Sequence, residues 1–279
     1  MEPKRKREGD VWDRRQESRM TIGTALMFQR LAEGWCYVVS DFTEGYAKCE
    51  GIFACGKKQY EEYRKRLEKE YQVVIKAGKN KTGQYLRVGT VLPVWEKGRK
   101  RNGAEDAGKK GSEKEEAILI RRFLPYTERQ MKLQMERMID IPYSWGDERA
   151  DGMDCSSMVR GFYACFGLFL PRNSEEQRNC GVALCSKKKA EYEALLGLPA
   201  ERKLAVIKGL GTGALIYMPG HVMIYAGEER GEPRIFHNCD TYTEDGEEHI
   251  VRKTVISRFF PKGEGTYLDY VTAVWKPFL

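Results

Sequence analysis

The sequence predicts an α+β protein in which small β-rich modules precede a larger domain of helices followed by strands. Three observations carry that reading. Before Leu124, short apolar runs alternate with Gly and acidic turns, and a Gly-Thr-x-Leu pattern occurs twice, 66 residues apart. After Leu124 the apolar spacing changes to a helical period, and further on to short runs of strand character. At 279 residues the chain has room for roughly two or three small domains with cores of their own.

Taken in order, residues 1–18 are polar and read as a flexible tail. The first module, 19–56, opens on Gly23-Thr24-x-Leu26 and continues through Trp35, Tyr37, Val38 and Val39 to Glu44 and Tyr46, a strand–turn texture that fits a small barrel. Residues 57–71 form a linking helix: 57–70 lack Gly and Pro and carry Tyr60, Tyr63 and Leu67 at helical spacing. The second module, 72–124, repeats the pattern as Gly89-Thr90-x-Leu92, so it reads as another copy of the same barrel. Its insertion 97–116, full of Gly, Lys and Glu, cannot bury enough apolar surface to fold and is expected to be mobile. The third part, 125–279, begins with Thr127-x-x-Gln130, a capping box, ahead of Met131, Met135, Met138 and Ile139 on one helical face. A turn at Pro142 and Gly146 precedes a second amphipathic helix with Met158, Val159, Phe162, Tyr163 and Phe166 on one face, ended by Gly167.

Composition excludes several classes of function. Apolar runs such as 214–218 are short, whereas about twenty residues are needed to cross a bilayer, so no transmembrane segment is expected. No hydrophobic region follows the basic N-terminus, so no secretory signal is visible. The protein is then cytoplasmic, or the chain begins after a leader or preceding domain. The net charge of +7 favours anionic partners, an anionic cell wall included. The basic residues are scattered, however, and no stacking motif or recognition helix accompanies them, which argues against nucleic acid. Among eight cysteines no Cys-x-x-Cys occurs, the closest pairs being Cys49/Cys55 and Cys180/Cys185. That spacing gives no zinc site, and cysteines other than the one singled out below are expected as buried thiols. No metal or cofactor is called for.

The chemistry concentrates at Asp154-Cys155-Ser156-Ser157, with Tyr143 and Trp145 upstream and His221 and His237 downstream. An isolated cysteine usually packs as a small hydrophobe, but this one stands at the start of a helix. There, unpaired amides and the helix dipole stabilise a thiolate and an oxyanion alike. Asp154 precedes the helix and can cap it, or its carboxylate can face a substrate. Of the three histidines, two lie in runs of strand character. His221 follows a Pro219-Gly220 turn and shares a strand face with Met223 and Tyr225, opposite Val222 and Ile224, placed to point into a cleft as a general base. His237 ends the run Ile235-Phe236 and is placed to orient His221, the third role of a triad. His249 sits in a charged turn and reads as solvated.

Together Tyr143-x-Trp145-Gly146, Asp154-Cys155-Ser156, Leu170-Pro171-Arg172-Asn173-Ser174, Gly220-His221-Val222-x-Ile224-Tyr225 and Phe236-His237 resemble the NlpC/p60 family of papain-like cysteine peptidases, which cut peptidoglycan stem peptides. The resemblance covers about 125–279. It implies a papain-like α+β catalytic domain, and the two upstream modules resemble the bacterial SH3-like barrels of γ-D-glutamyl-L-diamino-acid endopeptidases. Carried over residue by residue, it makes Cys155 the nucleophile, His221 the base and His237 the orienting residue. Tyr143 then assists the oxyanion or substrate, and Trp145, Asp154, Ser156 and Ser174 line the D-glutamyl subsite. Glu44 and Tyr46 are candidates to bind the free amine of an N-terminal L-Ala.

The implied partner is the stem peptide L-Ala-γ-D-Glu-diamino acid, and the implied location is the cell envelope or the exterior. The chain departs from the family at Ser157, where Gly is usual after Asp-Cys-Ser, and at Asp147, where a second Gly often follows Trp-Gly. Neither removes a catalytic group. Two rival readings use the same residues: a Cys-His-His acyltransferase or amidase on another acyl substrate, and an inert module that only binds wall peptide.

Overall fold

The chain forms strands wherever apolar residues alternate or cluster between Gly-rich turns, and helices wherever they recur every three or four residues. The computed structural model describes residues 26–30, 35–40, 44–48, 55–94, 116–146, 152–184 and 194–277. The expected tail 1–18, the insertion up to residue 115 and Asp147 lie outside these described residues.

In the first module β1 (Leu26–Arg30), β2 (Trp35–Ser40) and β3 (Glu44–Lys48) form an antiparallel meander in the order β1-β2-β3. Cys36, buried in β2, is disulfide-bonded rather than the free thiol expected, and Cys55 is exposed; Cys165 and Cys239 are buried thiols as read from the sequence. Helix α1 (Lys57–Lys69) comes next, with Tyr60, Tyr63 and Leu67 half-buried along the stripe that predicted it.

Strand β4 (Tyr71–Lys76) is the centre of the next sheet. Beyond the small hairpin β5 (Gly78–Lys79) and β6 (Tyr85–Leu86), β7 (Val91–Pro93) and β8 (Ile118–Arg121) pair with β4 on either side, in the order β7-β4-β8. This sheet shares its core with the helices of the third part. Ile75 and Val88 are buried in one cluster with Met131, Met135, Met138, Met158, Val159 and Phe162. Gln134 Nε2 also donates to the Ile75 carbonyl at 2.8 Å.

Helices α2 (Glu128–Arg137) and α3 (Cys155–Ala164) carry the two predicted apolar stripes. Thr127 caps α2 by accepting from the Gln130 amide. Helix α3 was expected to be amphipathic, yet it is buried well beyond its stripe, at Ser156, Ser157, Gly161 and Ala164. The reason is packing on two sides. Its apolar stripe meets the long sheet, and its other side meets the β4 module, where Gly161 lies against the Val88 carbonyl. Gly89, at φ +79°, is the counterpart: a Cβ there would stand 2.6 Å from the Gly161 carbonyl oxygen and 2.7 Å from the Ala164 Cβ.

Helices α4 (Ser174–Leu184) and α5 (Ala200–Leu210) lead into five antiparallel strands. These are β9 (Leu215–Met218), β10 (His221–Glu229), β11 (Glu232–Glu244), β12 (Glu247–Ser257) and, after the hairpin β13 (Pro261–Lys262) and β14 (Gly265–Thr266), β15 (Ala273–Trp275). The order is β12-β11-β10-β9-β15. The period-two reading of β10 holds: Val222 and Ile224 join the α3 side of the sheet, while Met223 and Tyr225 join the opposite cluster with Phe260, Tyr267 and Leu268. His249 corrects the sequence reading. It lies in β12 rather than a turn, paired in register with Tyr242, and its ring stacks on Tyr242 at 4.9 Å, so it is half-buried.

Candidate active site

The site begins at the cap of α3. Asp154 is extended, as an N-cap must be, and accepts from the Ser157 amide at 2.8 Å, while its own amide donates to Ser157 Oγ at 2.9 Å. Ser157, the departure from the family pattern, thus completes a capping box. The Asp154 carboxylate also accepts from the Gly146 amide at 3.1 Å, from Ser156 Oγ at 3.1 Å and from both ends of the Arg172 guanidinium, at 3.1 and 2.6 Å. Arg172 donates further to Ser156 Oγ at 2.8 Å, and Gln177 Nε2 to the Ser156 carbonyl at 3.0 Å. Asp154, Ser156 and Arg172 are all buried. A bidentate, charge-assisted pair of this kind fixes geometry as well as charge.

This network holds Cys155 at the first position of α3, mostly buried with part of its surface reaching solvent. Its Sγ receives the backbone amides of Val222 and Ser156, so the thiol meets β10 one residue past His221. The expected resting thiolate is not what these surroundings favour. Burial first, then the Asp154 carboxylate, push the Cys155 thiol up to about 12, against the smaller opposing pull of the two amides and Arg172.

His221 opens β10 directly after the Pro219–Gly220 turn, with Gly220 at φ +78°. Its Nε2 lies 3.0 Å from His237 Nδ1, and His237 Nε2 lies 2.9 Å from Ser257 Oγ. Burial, with a lesser contribution from Lys262, pushes His221 down to about 4; His237, fully buried, is held well below its usual range by burial and by His221. Both rings are therefore neutral near pH 7. Phe260 at 5.2 Å and Tyr267 at 6.2 Å brace the His237 ring. The structure thus holds a neutral thiol at the head of α3, bonded to the Val222 amide, and a neutral imidazole pair that begins at the preceding residue of β10. Groups in these states are suited to passing a proton rather than to storing a thiolate.

Tyr143 is set beside this pair by backbone bonding: its amide donates to the Arg252 carbonyl at 2.8 Å, and it bridges Met153. Burial first, then the charges of Cys155 and Asp154, keep its phenol protonated. Trp145 is 46% exposed, next to the Gly146 whose amide caps Asp154. Ser174 stands at the start of α4, two residues beyond Arg172. Glu44 and Tyr46 lie on β3 of the first module, opposite Val39 and Tyr37. Sequence reasoning missed Arg172 as a site residue although it stands inside a quoted motif, and it missed Ser257, Phe260 and Tyr267, which carry no sequence signal at all.

Residues 140–255 match the NlpC/P60 family. The matched stretch runs from just after α2 through most of β12 and holds Cys155, His221 and His237. Among solved structures, an NlpC/P60 family protein from Bacillus cereus is similar at a TM-score of 0.59 and 15% identity, over 92% of this chain and 81% of that one. An NlpC/P60 endopeptidase from Photobacterium damselae is similar at a TM-score of 0.54 and 16% identity, over 83% of this chain and 56% of that one. A search of curated proteins by sequence found no significant match. Among the described residues, no helix is long and apolar enough to cross a membrane.

Proposed function

We propose that the chain is a cysteine endopeptidase that hydrolyses the γ-D-glutamyl–diamino acid bond of peptidoglycan stem peptides, in cell-wall turnover or recycling. The observation that carries this is a partly buried cysteine at the head of a buried helix, bonded to the Val222 amide of the strand that starts with His221, itself hydrogen-bonded at 3.0 Å to His237. The NlpC/P60 domain supports the substrate class, since that family consists generally of cell-wall peptidases.

Cys155 Sγ attacks the γ-carbonyl as its proton passes to His221, and the carbonyl becomes an oxyanion beside the protonated Tyr143 phenol and the amides at the head of α3. His221 then returns that proton to the departing amine, leaving an acyl-enzyme. Water gives a proton to His221, attacks the thioester and releases the γ-carboxylate, and the proton returns to sulfur. Trp145, Ser156 and Ser174 would line the D-glutamyl subsite, with Asp154 holding it in shape through Arg172. The three-strand meander and the β7-β4-β8 sheet are consistent with two SH3-like modules, and Glu44 and Tyr46 of the first would receive the L-Ala amine. The Cys36 disulfide supports an oxidising location such as the envelope.

Mass spectrometry of products from L-Ala-γ-D-Glu-diaminopimelate tests the reading. Free diaminopimelate and L-Ala-γ-D-Glu are expected, with turnover lost in Cys155→Ala and His221→Ala while circular dichroism is unchanged. Cleavage that persists in either variant refutes the assignment. An acylated amine in place of the free acid would show acyl transfer instead.

A further inference from the structure

The hydrogen bonds behind the two histidines run in only one direction. Ser257 Oγ lies 2.7 Å from the Arg258 carbonyl oxygen and 2.9 Å from His237 Nε2. A carbonyl only accepts, so the single serine proton is committed to Arg258, and the serine oxygen is left to accept from His237. His237 therefore carries its hydrogen on Nε2, and its Nδ1 is an acceptor. Across the 3.0 Å contact His221 Nε2 must then donate, which leaves His221 Nδ1 without a proton. From this chain we propose that Ser257 is a positioning residue of the site: by anchoring its hydroxyl on the Arg258 carbonyl it sets the tautomers of both histidines and presents His221 Nδ1 as the base.

The proposal deepens, and rests on, the reading of Cys155 and His221 as nucleophile and base. The reverse chain shows what is at stake. A serine donating to His237 Nε2 would place the His237 proton on Nδ1, make His221 Nε2 an acceptor and move its proton to Nδ1. A neutral imidazole protonated there cannot take a proton from the thiol by that atom. The observed direction also survives the reaction, because a His221 that has gained a proton on Nδ1 still donates through Nε2 and no group has to turn. Phe260 and Tyr267, packed on the His237 ring, oppose the flip that would exchange its nitrogens.

The test uses the full chain labelled with [15N]histidine. Nitrogen–proton correlation spectra at pH 7 report each tautomer, and the rate of Cys155 carboxamidomethylation, followed by peptide mass spectrometry, reports the base. In the unmodified chain His237 is expected to be protonated on Nε2. Ser257→Ala should convert it to a mixture and slow Cys155 alkylation about tenfold or more, the scale of a misplaced general base. Ser257→Thr, which keeps the hydroxyl on a strand, should restore both. A Ser257→Ala spectrum in which His237 stays wholly Nε2-protonated overturns the proposal, whatever the alkylation rate. Neither readout uses a peptide, so an error in the scissile bond leaves the test intact.

Discussion

Arg172 and Asp154 show how one residue pair fixes the reacting atom without touching it. The pair is almost fully shielded from solvent, with side chains 4% and 9% exposed. Removing the arginine would leave a buried carboxylate with no countercharge, a defect that costs about 3–5 kcal/mol. Arg172→Met is therefore expected to lower unfolding free energy by about 3 kcal/mol or more, measured in urea, and to slow Cys155 alkylation further by removing one of the influences that favour the thiolate. A Tm and an alkylation rate equal to those of the unmodified chain would show that the pair is dispensable. With His221 as the base of the proposed reaction, it sets the acid limb of activity. Because burial pushes His221 down to about 4, it still accepts a proton at pH 5, so kcat/KM is expected to hold there and to fall as pH drops through about 4. A steep loss between pH 7 and 6 would mean that the imidazole is far better solvated than its surroundings suggest.

At the scale of elements, α3 is the pivot, and its two contacts are of opposite character. Toward the sheet it presents Phe162, whose ring lies 5.9 Å from that of Phe236, an interlock of large side chains. Toward the β4 module it presents no side chain at Gly161, and the backbone of 88–89 closes on it. The second Gly-Thr pattern was read from the sequence as a repeat of a barrel motif. In the structure its glycine has a further duty, since only a residue without Cβ, free to adopt positive φ, fits beneath α3. Gly89→Ala combines a backbone penalty with a clash against a carbonyl oxygen. It is expected to cost about 2–4 kcal/mol, or to shift α3 and lower activity. Thermal unfolding of Gly89→Ala beside Gly83→Ala checks this, because Gly83 shares the positive φ at +79° but has open space around it. Equal losses in the two variants would assign the whole effect to backbone conformation.

For the whole molecule, burying two neutral histidines makes stability depend on pH. Their folded values lie below the unfolded 6.5, so in acid the unfolded chain takes up protons that the folded chain refuses. Stability is thus full above about pH 6.5 and declines below it, reaching about 1 kcal/mol per pH unit for His221 until its folded ring titrates near 4, with His237 adding in the same direction. Urea unfolding at pH 7, 6 and 5 should show that decline, and His221→Gln should flatten it; an unchanged slope in the variant would remove His221 from the account. On the alkaline side Cys155, Cys165 and Cys239, raised from 9 to about 12, add a loss that begins above pH 9.

Sequence alone determined the helices α2 and α3 and the strands around His221 and His237, because Met131, Met135 and Met158, Val159 and Phe162 repeat at a helical period while Val222 and Ile224 alternate with Met223 and Tyr225; α4, α5 and β12 were not read from it. It also singled out Cys155, His221 and His237 as the candidate reactive set, since few residue types can ionise, accept and orient in that order. Tertiary structure alone decided how those groups are tuned. Arg172 reaches Asp154 from beyond the far end of α3, Ser257 reaches His237 across a strand pair, and His249 finds Tyr242 by register, none of which leaves a local signature. Burial, a property of the assembled core, holds Cys155 as a thiol where the sequence led to the expectation of a thiolate.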